Sequence, residues 1–227
     1  MKIKTPLLLI NFKVYDEAVG NYLGISKVAK KVADELNVSI AVAPSHLVLK
    51  EVSKILPTFA QSINPYEPGA HTGSIVAEDI KRAGAIGALI NHSEKRLNAK
   101  DVKACVDRCR ENELVSVVCV ADENEAKEYA RFHPDFIAIE PPELIGGNVS
   151  VSTAKPEVVT GSVNAVKSIS KNVEVLCGAG IKTREDIKKA LELGVVGVLV
   201  SSGIVKDKNV ENAIRNAAYG LQHFRSS

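Results

Sequence analysis

No apolar run in this 227-residue chain is long enough to cross a bilayer. The first apolar stretch, Leu7 to Ile10, is closed by Asn11 and followed by Lys13, so neither a signal peptide nor a membrane span is expected. A dominant charge is missing as well. Lys and Arg number 29 against 27 Asp and Glu, which leaves no excess field for a polyanion or an anionic membrane surface. No nucleic acid and no membrane are therefore expected as partners. Cysteines are few, at positions 105, 109, 119 and 177, and scattered in a way that suits reduced thiols and a cytoplasmic protein. Cys105 and Cys109 stand one helical turn apart and could share a metal, but no His or second Cys pair lies at ligand spacing, so they read as core packing.

What is present is an abundance of Val, Ile, Leu and Ala, within 45% hydrophobic residues, enough to bury a parallel sheet. Short apolar runs recur, each followed by a longer stretch of helical period. The expected strands are Leu7 to Asn11, Ser39 to Ala43, Thr58 to Gln61, Ala85 to Ile90, Val115 to Val120, Phe136 to Glu140, Val173 to Cys177 and Val196 to Val200. Expected helices include Lys27 to Leu36, Ala99 to Asn112, Pro156 to Ser170, Arg184 to Leu193 and Val210 to Tyr219, with a short one near Glu78 to Arg82. Eight parallel βα units can close on themselves and leave no sheet edge, so the expectation is an α/β fold, a single (β/α)8 barrel domain over residues 1–227. A doubly wound sheet competes, but no strand runs into a Gly-x-Gly-x-x-Gly turn.

In such a barrel the functional groups gather where strands end. Asn11 and Lys13 follow the first strand, His92 the fourth, Glu140 ends the sixth, and Gly178, Gly180, Ser201 and Ser202 follow the last two. Singly, each has a plainer reading: a solvated lysine, a helix-capping glutamate, a hydrogen-bonded histidine. Together they supply a carboxylate, an imidazole, an ammonium and an anion cradle at one mouth, which is what proton abstraction beside a phosphate-bearing carbonyl demands. The runs Cys177-Gly178-Ala179-Gly180-Ile181 and Val200-Ser201-Ser202-Gly203-Ile204 offer small residues whose N–H groups can approach phosphate oxygens.

Three stretches carry a resemblance: Ile90-Asn91-His92-Ser93-Glu94-Lys95-Arg96, Ala138-Ile139-Glu140-Pro141-Pro142-Glu143-Leu144-Ile145-Gly146 and Gly69-Ala70-His71-Thr72-Gly73. With Asn11-Phe12-Lys13 at the start and Ser201-Ser202-Gly203 near the end, the chain resembles the triosephosphate isomerase family, in its compact archaeal type. The resemblance implies a triose phosphate substrate, no cofactor and no metal. It makes Glu140 the base that moves a proton through an enediolate, His92 a neutral electrophile and Lys13 a fixed positive charge, and it has Asn11 orient the substrate and Glu94 hold the lysine. Asn11, Phe12 and Lys13 would contact substrate, and Ile145, Gly146, Gly180, Ser201 and Ser202 the phosphate. Residues 141–147 would form a mobile lid that excludes water. The Thr72 loop would reach into a partner subunit, giving a homodimer or homotetramer. Departures from the family pattern are Pro142, Glu143 and Leu144 in place of lid aromatics, Cys177-Gly178-Ala179-Gly180 in place of a tyrosine-bearing turn, and serines at 201 and 202 where glycines are commoner. Two competing readings share the barrel and its phosphate loops: another sugar-phosphate isomerase, and a barrel that binds a sugar phosphate without catalysis. A glycosidase built on Glu140 and Glu143 fails because the two stand on one loop rather than across a cleft.

Overall fold

The computed structural model describes residues 3–141 and 151–222. Eight strands form one parallel sheet: β1 (Leu7–Asn11), β2 (Ser39–Ala43), β3 (Phe59–Ala60), β4 (Gly87–Ile90), β5 (Val115–Val120), β6 (Phe136–Ile139), β7 (Glu174–Cys177) and β8 (Gly197–Val200). Their order is β2-β1-β8-β7-β6-β5-β4-β3. The two ends meet through a parallel bridge between Val42 and Thr58, where the Val42 N–H donates to Pro57 O at 3.1 Å. The sheet thus curls into the expected barrel. The helices are α1 (Tyr22–Leu36), α2 (Leu49–Val52), α3 (Ala77–Arg82), α4 (Ala99–Glu111), α5 (Glu123–Ala130), α6 (Val151–Ala154), α7 (Pro156–Ile169), α8 (Arg184–Glu192), α9 (Ser202–Val205) and α10 (Val210–Gln222).

Strand side chains alternate between two cores, as the two-residue period requires. Inside the barrel sit Leu7, Leu9, Ala41, Ala43, Phe59, Leu89, Val115, Val117, Cys119, Phe136, Ala138, Leu176 and Leu199. Their neighbours, such as Leu8, Ile10, Val42, Ile90, Val118, Ile137, Val175 and Val198, face outward and pack with the buried helix positions. The strands are mostly apolar because both faces are covered, with Asn11, Ser39, Ser116 and Glu174 the polar exceptions. Inside, space is tight. A Cβ at Gly87 would collide with Val115 O and the Phe59 ring, so the glycine lets that ring fill the axis.

Several element ends differ from expectation, and the causes are local. Strand β3 is confined to Phe59–Ala60, because Thr58 joins the ladder only through its bridge and the Gln61 side chain turns to backbone carbonyls. Strands β4, β6, β7 and β8 are each trimmed at one end to Gly87–Ile90, Phe136–Ile139, Glu174–Cys177 and Gly197–Val200. Helix α1 begins at Tyr22, five residues before the expected Lys27, and runs through Gly24, against which Asn21 folds so closely that a Cβ would meet its side chain. Helices α4, α7 and α8 stop one residue short of expectation and α10 continues to Gln222. Among the described residues no helix is long and apolar enough to cross a membrane. All four cysteines are free and buried, and Cys105 donates to Ile63 O at 3.5 Å. Burial pushes the Cys105 thiol up to about 12.

Candidate active site

The inward series of the strands turns polar at their C-terminal ends. Asn11, Gln61, Asn91, Glu140, Gly178 and Ser201 each stand two residues beyond an inward apolar residue: Leu9, Phe59, Leu89, Ala138, Leu176 and Leu199. The pleat that points those six into the barrel therefore hands their successors to its mouth. Asn11, Lys13, His92, Glu140, Gly178, Gly180, Ser201 and Ser202 line one pocket there, so most of the residues expected from the sequence come together. Phe12 does not join them. Its side chain is fully buried in the outer layer and stacks on Tyr22, with ring centroids 6.2 Å apart. Ile145 and Gly146, with most of the expected lid, lie outside the described residues.

Lys13 adopts φ 48°, a left-handed conformation that costs a non-glycine residue roughly 1–3 kcal/mol. Three side chains offset that cost. Asn11 Oδ1 accepts from the Lys13 N–H at 3.0 Å, and Gln61 Nε2 donates to Lys13 O at 3.0 Å and to Ala43 O at 2.9 Å. The ammonium, nearly buried, pairs with Glu94 Oε1 at 2.7 Å. Side chains from the first, third and fourth βα units thus fix where this charge stands, with Ala43 O of the second anchoring the Gln61 amide.

His92 follows Asn91, which turns the chain at φ 62° and is pinned by both ends of its amide. Asn91 Nδ2 donates to Cys119 O and its Oδ1 accepts from the Leu97 N–H, each at 2.9 Å. The Glu94 N–H donates to His92 Nδ1 at 3.2 Å. An accepting Nδ1 carries no proton, so the imidazole proton sits on Nε2. That nitrogen lies 3.6 Å from Glu140 Oε1.

Glu140 is 5% exposed, and its Oε2 has no hydrogen-bond partner among the described residues. Burial pushes its carboxyl above the ordinary range. A hydrogen bond from the Cys119 thiol and the Lys13 charge pull it partly back, and the Glu94 carboxylate adds to the rise. Gly178 makes its seat possible, since a Cβ there would lie 2.6 Å from Glu140 Cγ. A base that is dry, raised and facing an imidazole is suited to taking a proton from carbon.

Opposite stand the two small-residue loops. The first is tied to α8 by a capping box: Asp186 Oδ2 accepts from the Lys182 and Thr183 N–H groups at 3.1 and 2.8 Å, and Thr183 Oγ1 accepts from the Asp186 N–H at 3.1 Å. In the second, Ser201 Oγ is buried without a partner among the described residues, an unspent hydroxyl beside the cradle. Gln61, Asn91, Cys119 and Asp186 carry no site role in the sequence reading. The parity of the inward series is the signal that singles out the first two.

These features define a class, a (β/α)8 barrel whose mouth sets a buried carboxylate against an imidazole beside two loops of small residues. Comparison with known proteins narrows it. The family model for triosephosphate isomerase matches residues 6–217. The chain is 50% identical over 212 residues to the triosephosphate isomerase of Methanocaldococcus jannaschii, covering 92% of this chain and 97% of that protein. It is 47% identical over 222 residues to that of Caldivirga maquilingensis (96% and 99%) and 46% identical over 212 residues to that of Methanothermus fervidus (92% and 96%). The chain belongs to the triosephosphate isomerase family. Among the described residues no three His, Cys, Asp or Glu side chains gather where they could hold a metal ion.

Proposed function

We propose that this protein interconverts D-glyceraldehyde 3-phosphate and dihydroxyacetone phosphate, the aldose–ketose step shared by glycolysis and gluconeogenesis. The observation that carries this reading is the facing of Glu140 Oε1 and His92 Nε2 at 3.6 Å, with Lys13 and the small-residue cradle at the same mouth. Glu140 removes a proton from the carbon beside the carbonyl and returns it to the neighbouring carbon, so one carboxylate serves both half-reactions. The Nε2–H of His92 donates to whichever oxygen carries the developing enediolate charge, and it is a neutral donor because Nδ1 is held as an acceptor. The neutral imidazole of this enzyme is itself a standard illustration of such tuning, so here the geometry supports a known assignment. Lys13 contributes a fixed positive charge in a site with little water, where it counts for more than in solution. Asn11 orients substrate and braces the lysine backbone. The carbon proton passes through Glu140 and the hydroxyl proton passes from one oxygen to the other, so protons and electrons balance within the substrate and the chemistry calls for no cofactor. Gly180, Ser201 and Ser202 receive the phosphate, with Ile145 and Gly146 joining from the lid.

A coupled assay with glyceraldehyde 3-phosphate, run beside Glu140→Gln, tests this. The expected outcome is wild-type turnover and a loss of at least about a hundredfold in kcat for the variant, since amide nitrogen cannot serve as base. A wild-type protein that binds the sugar phosphate without turning it over would make this a binding barrel.

The assembly we propose is a homodimer or a homotetramer. The loop from Asn64 to Ile75 projects from the barrel, closed at its base by Asn64 N–H to Ile75 O at 2.8 Å and Ile75 N–H to Asn64 Oδ1 at 2.9 Å, with Tyr66 stacked on His71. Thr72 is exposed at its tip. Val14 and Leu47, at 72% and 92% exposure, are apolar side chains left in water. A second copy would cover them and receive the Thr72 loop near Lys13. Free buried cysteines support a reducing compartment, and we place the protein in the cytoplasm.

A further inference from the structure

Lys13 arrives at the mouth already paired. Its ammonium sits 2.7 Å from Glu94, so the two together present little net positive charge to an approaching anion. The whole chain offers little more, at +2. Yet the proposed substrate is a phosphate ester that must be captured from water. Two further lysines stand at the same pocket: Lys182, which lines it, and Lys206, which stands beside it over Tyr15. Tyr15, two residues after Lys13, lines it, and the Tyr15 ring has Lys206 Nζ 5.1 Å from its centroid and Lys13 Nζ 5.9 Å from it. Lys206 directly follows α9, whose first residue is Ser202 of the cradle, and its N–H donates to Ser202 O at 3.2 Å. Among the described residues its ammonium pairs with no carboxylate.

We propose that Lys206, held over the Tyr15 ring, is a cation of the phosphate end, one that captures and retains the substrate's phosphate without taking part in proton transfer. The physical case has three parts. A cation above an aromatic face is positioned with little loss of charge, because the ring's quadrupole attracts it without neutralising it. Two ammoniums sharing one ring repel each other, and an anion between ring and cradle relieves that repulsion. A local unpaired charge at a cleft concentrates anions there even when net charge is near zero, and its effect fades as salt shortens the screening length. Lys13 then acts on the reacting end with a charge placed by Glu94, Asn11 and Gln61, while Lys206 acts on arrival.

This inference rests on the isomerase reading, and its test keeps the two apart. Steady-state kinetics of Lys206→Ala, Lys206→Arg and Tyr15→Leu would be followed from low to high ionic strength, alongside calorimetric binding of orthophosphate and thermal midpoints. For Lys206→Ala the expected result is unchanged kcat, kcat/KM lower by about three- to tenfold at low salt, convergence with wild type at high salt, and weaker orthophosphate binding. Lys206→Arg restores capture, because guanidinium keeps both the charge and the ring contact. Tyr15→Leu, which leaves Lys206 in place but unguided, falls between. Wild-type kcat/KM and orthophosphate affinity in Lys206→Ala at every ionic strength would overturn the proposal, and so would a parallel loss of kcat that salt does not change. If the wild type itself shows no turnover, the isomerase reading fails, and the orthophosphate comparison still decides the role of Lys206.

Discussion

Glu140 is a carboxylate with almost no water around it and, on Oε2, no hydrogen-bond partner among the described residues. The fold disfavours its ionised form, and this has two consequences of definite sign. The acid limb of kcat/KM falls above the pH expected of an ordinary glutamate, since the base is lost as pH drops through a raised value. For stability the folded chain holds this proton more tightly than the unfolded one, so stability declines as pH rises from the ordinary carboxylate value through the raised one. Glu140→Gln removes the buried charge. Its thermal midpoint should exceed that of the wild type at pH 8, and the gain should vanish as pH falls to the ordinary carboxylate range. Calorimetric scans of both proteins between pH 4 and pH 8 check this, and a variant less stable than wild type at pH 8 would contradict it. The same site illustrates what a sequence conceals at this scale. Glu140, His92 and Lys13 are legible because a carboxylate, an imidazole and an ammonium fall together at the ends of different strands of one expected barrel, although each alone has a plainer reading. Gln61 and Asn91 stand out only by the parity of the inward series, because an amide becomes informative when its partners are known: Gln61 reaches backbone across the β2–β3 seam and Asn91 reaches the neighbouring strand β5.

Among the elements, α8 shows how a helix terminus holds a loop. Its capping box fixes the Lys182 and Thr183 N–H groups, and the turn bearing Gly178 and Gly180 enters the helix through them. Thr183→Ala should cost about 1 kcal/mol, readable as a lower urea midpoint at constant slope, with KM rising more than kcat falls. Unchanged stability would mean that Asp186 alone carries the cap. Strands were legible at this scale as short apolar runs, and their ends were less so because one terminal ladder bond decides them. Helix α5 was the hardest to foresee. Four of its eight residues are charged and its buried stripe is only Ala126, Tyr129 and Ala130, so little marks it until α7 packs against it and Asp122 caps it. Gly24 likewise obscured the first turn of α1.

At the scale of the whole molecule, the barrel closes through a single parallel bridge at Val42 and Thr58, at the one seam where consecutive strands share no regular ladder. Residues on both sides of that seam lead to the face on which we place the partner: Leu47 follows β2, while Gln61 leads into the loop that carries Thr72. Leu47→Glu should therefore shift the protein toward monomer in sedimentation velocity and lower kcat at dilute protein, although Leu47 touches none of the catalytic side chains. An unchanged sedimentation coefficient would place the interface elsewhere. Closure and the eight-unit alternation were legible from sequence, since period-two apolar runs separated by helical stretches admit few other folds. Which apolar residues stay exposed on the loops, such as Val14 and Leu47, was not, because that depends on how the loops after different strands fold back on the barrel.

The four buried thiols have a use in this setting. Cys119 lies inside the barrel, Cys177 on β7 beneath the cradle, and Cys105 and Cys109 on the inner face of α4. An alkylating reagent in water meets none of them in the folded chain, so the rate at which each is modified clocks the opening of its own neighbourhood. Three regions of one barrel thus carry built-in reporters, and peptide mapping of the modified protein would reveal whether the phosphate end loosens before the rest.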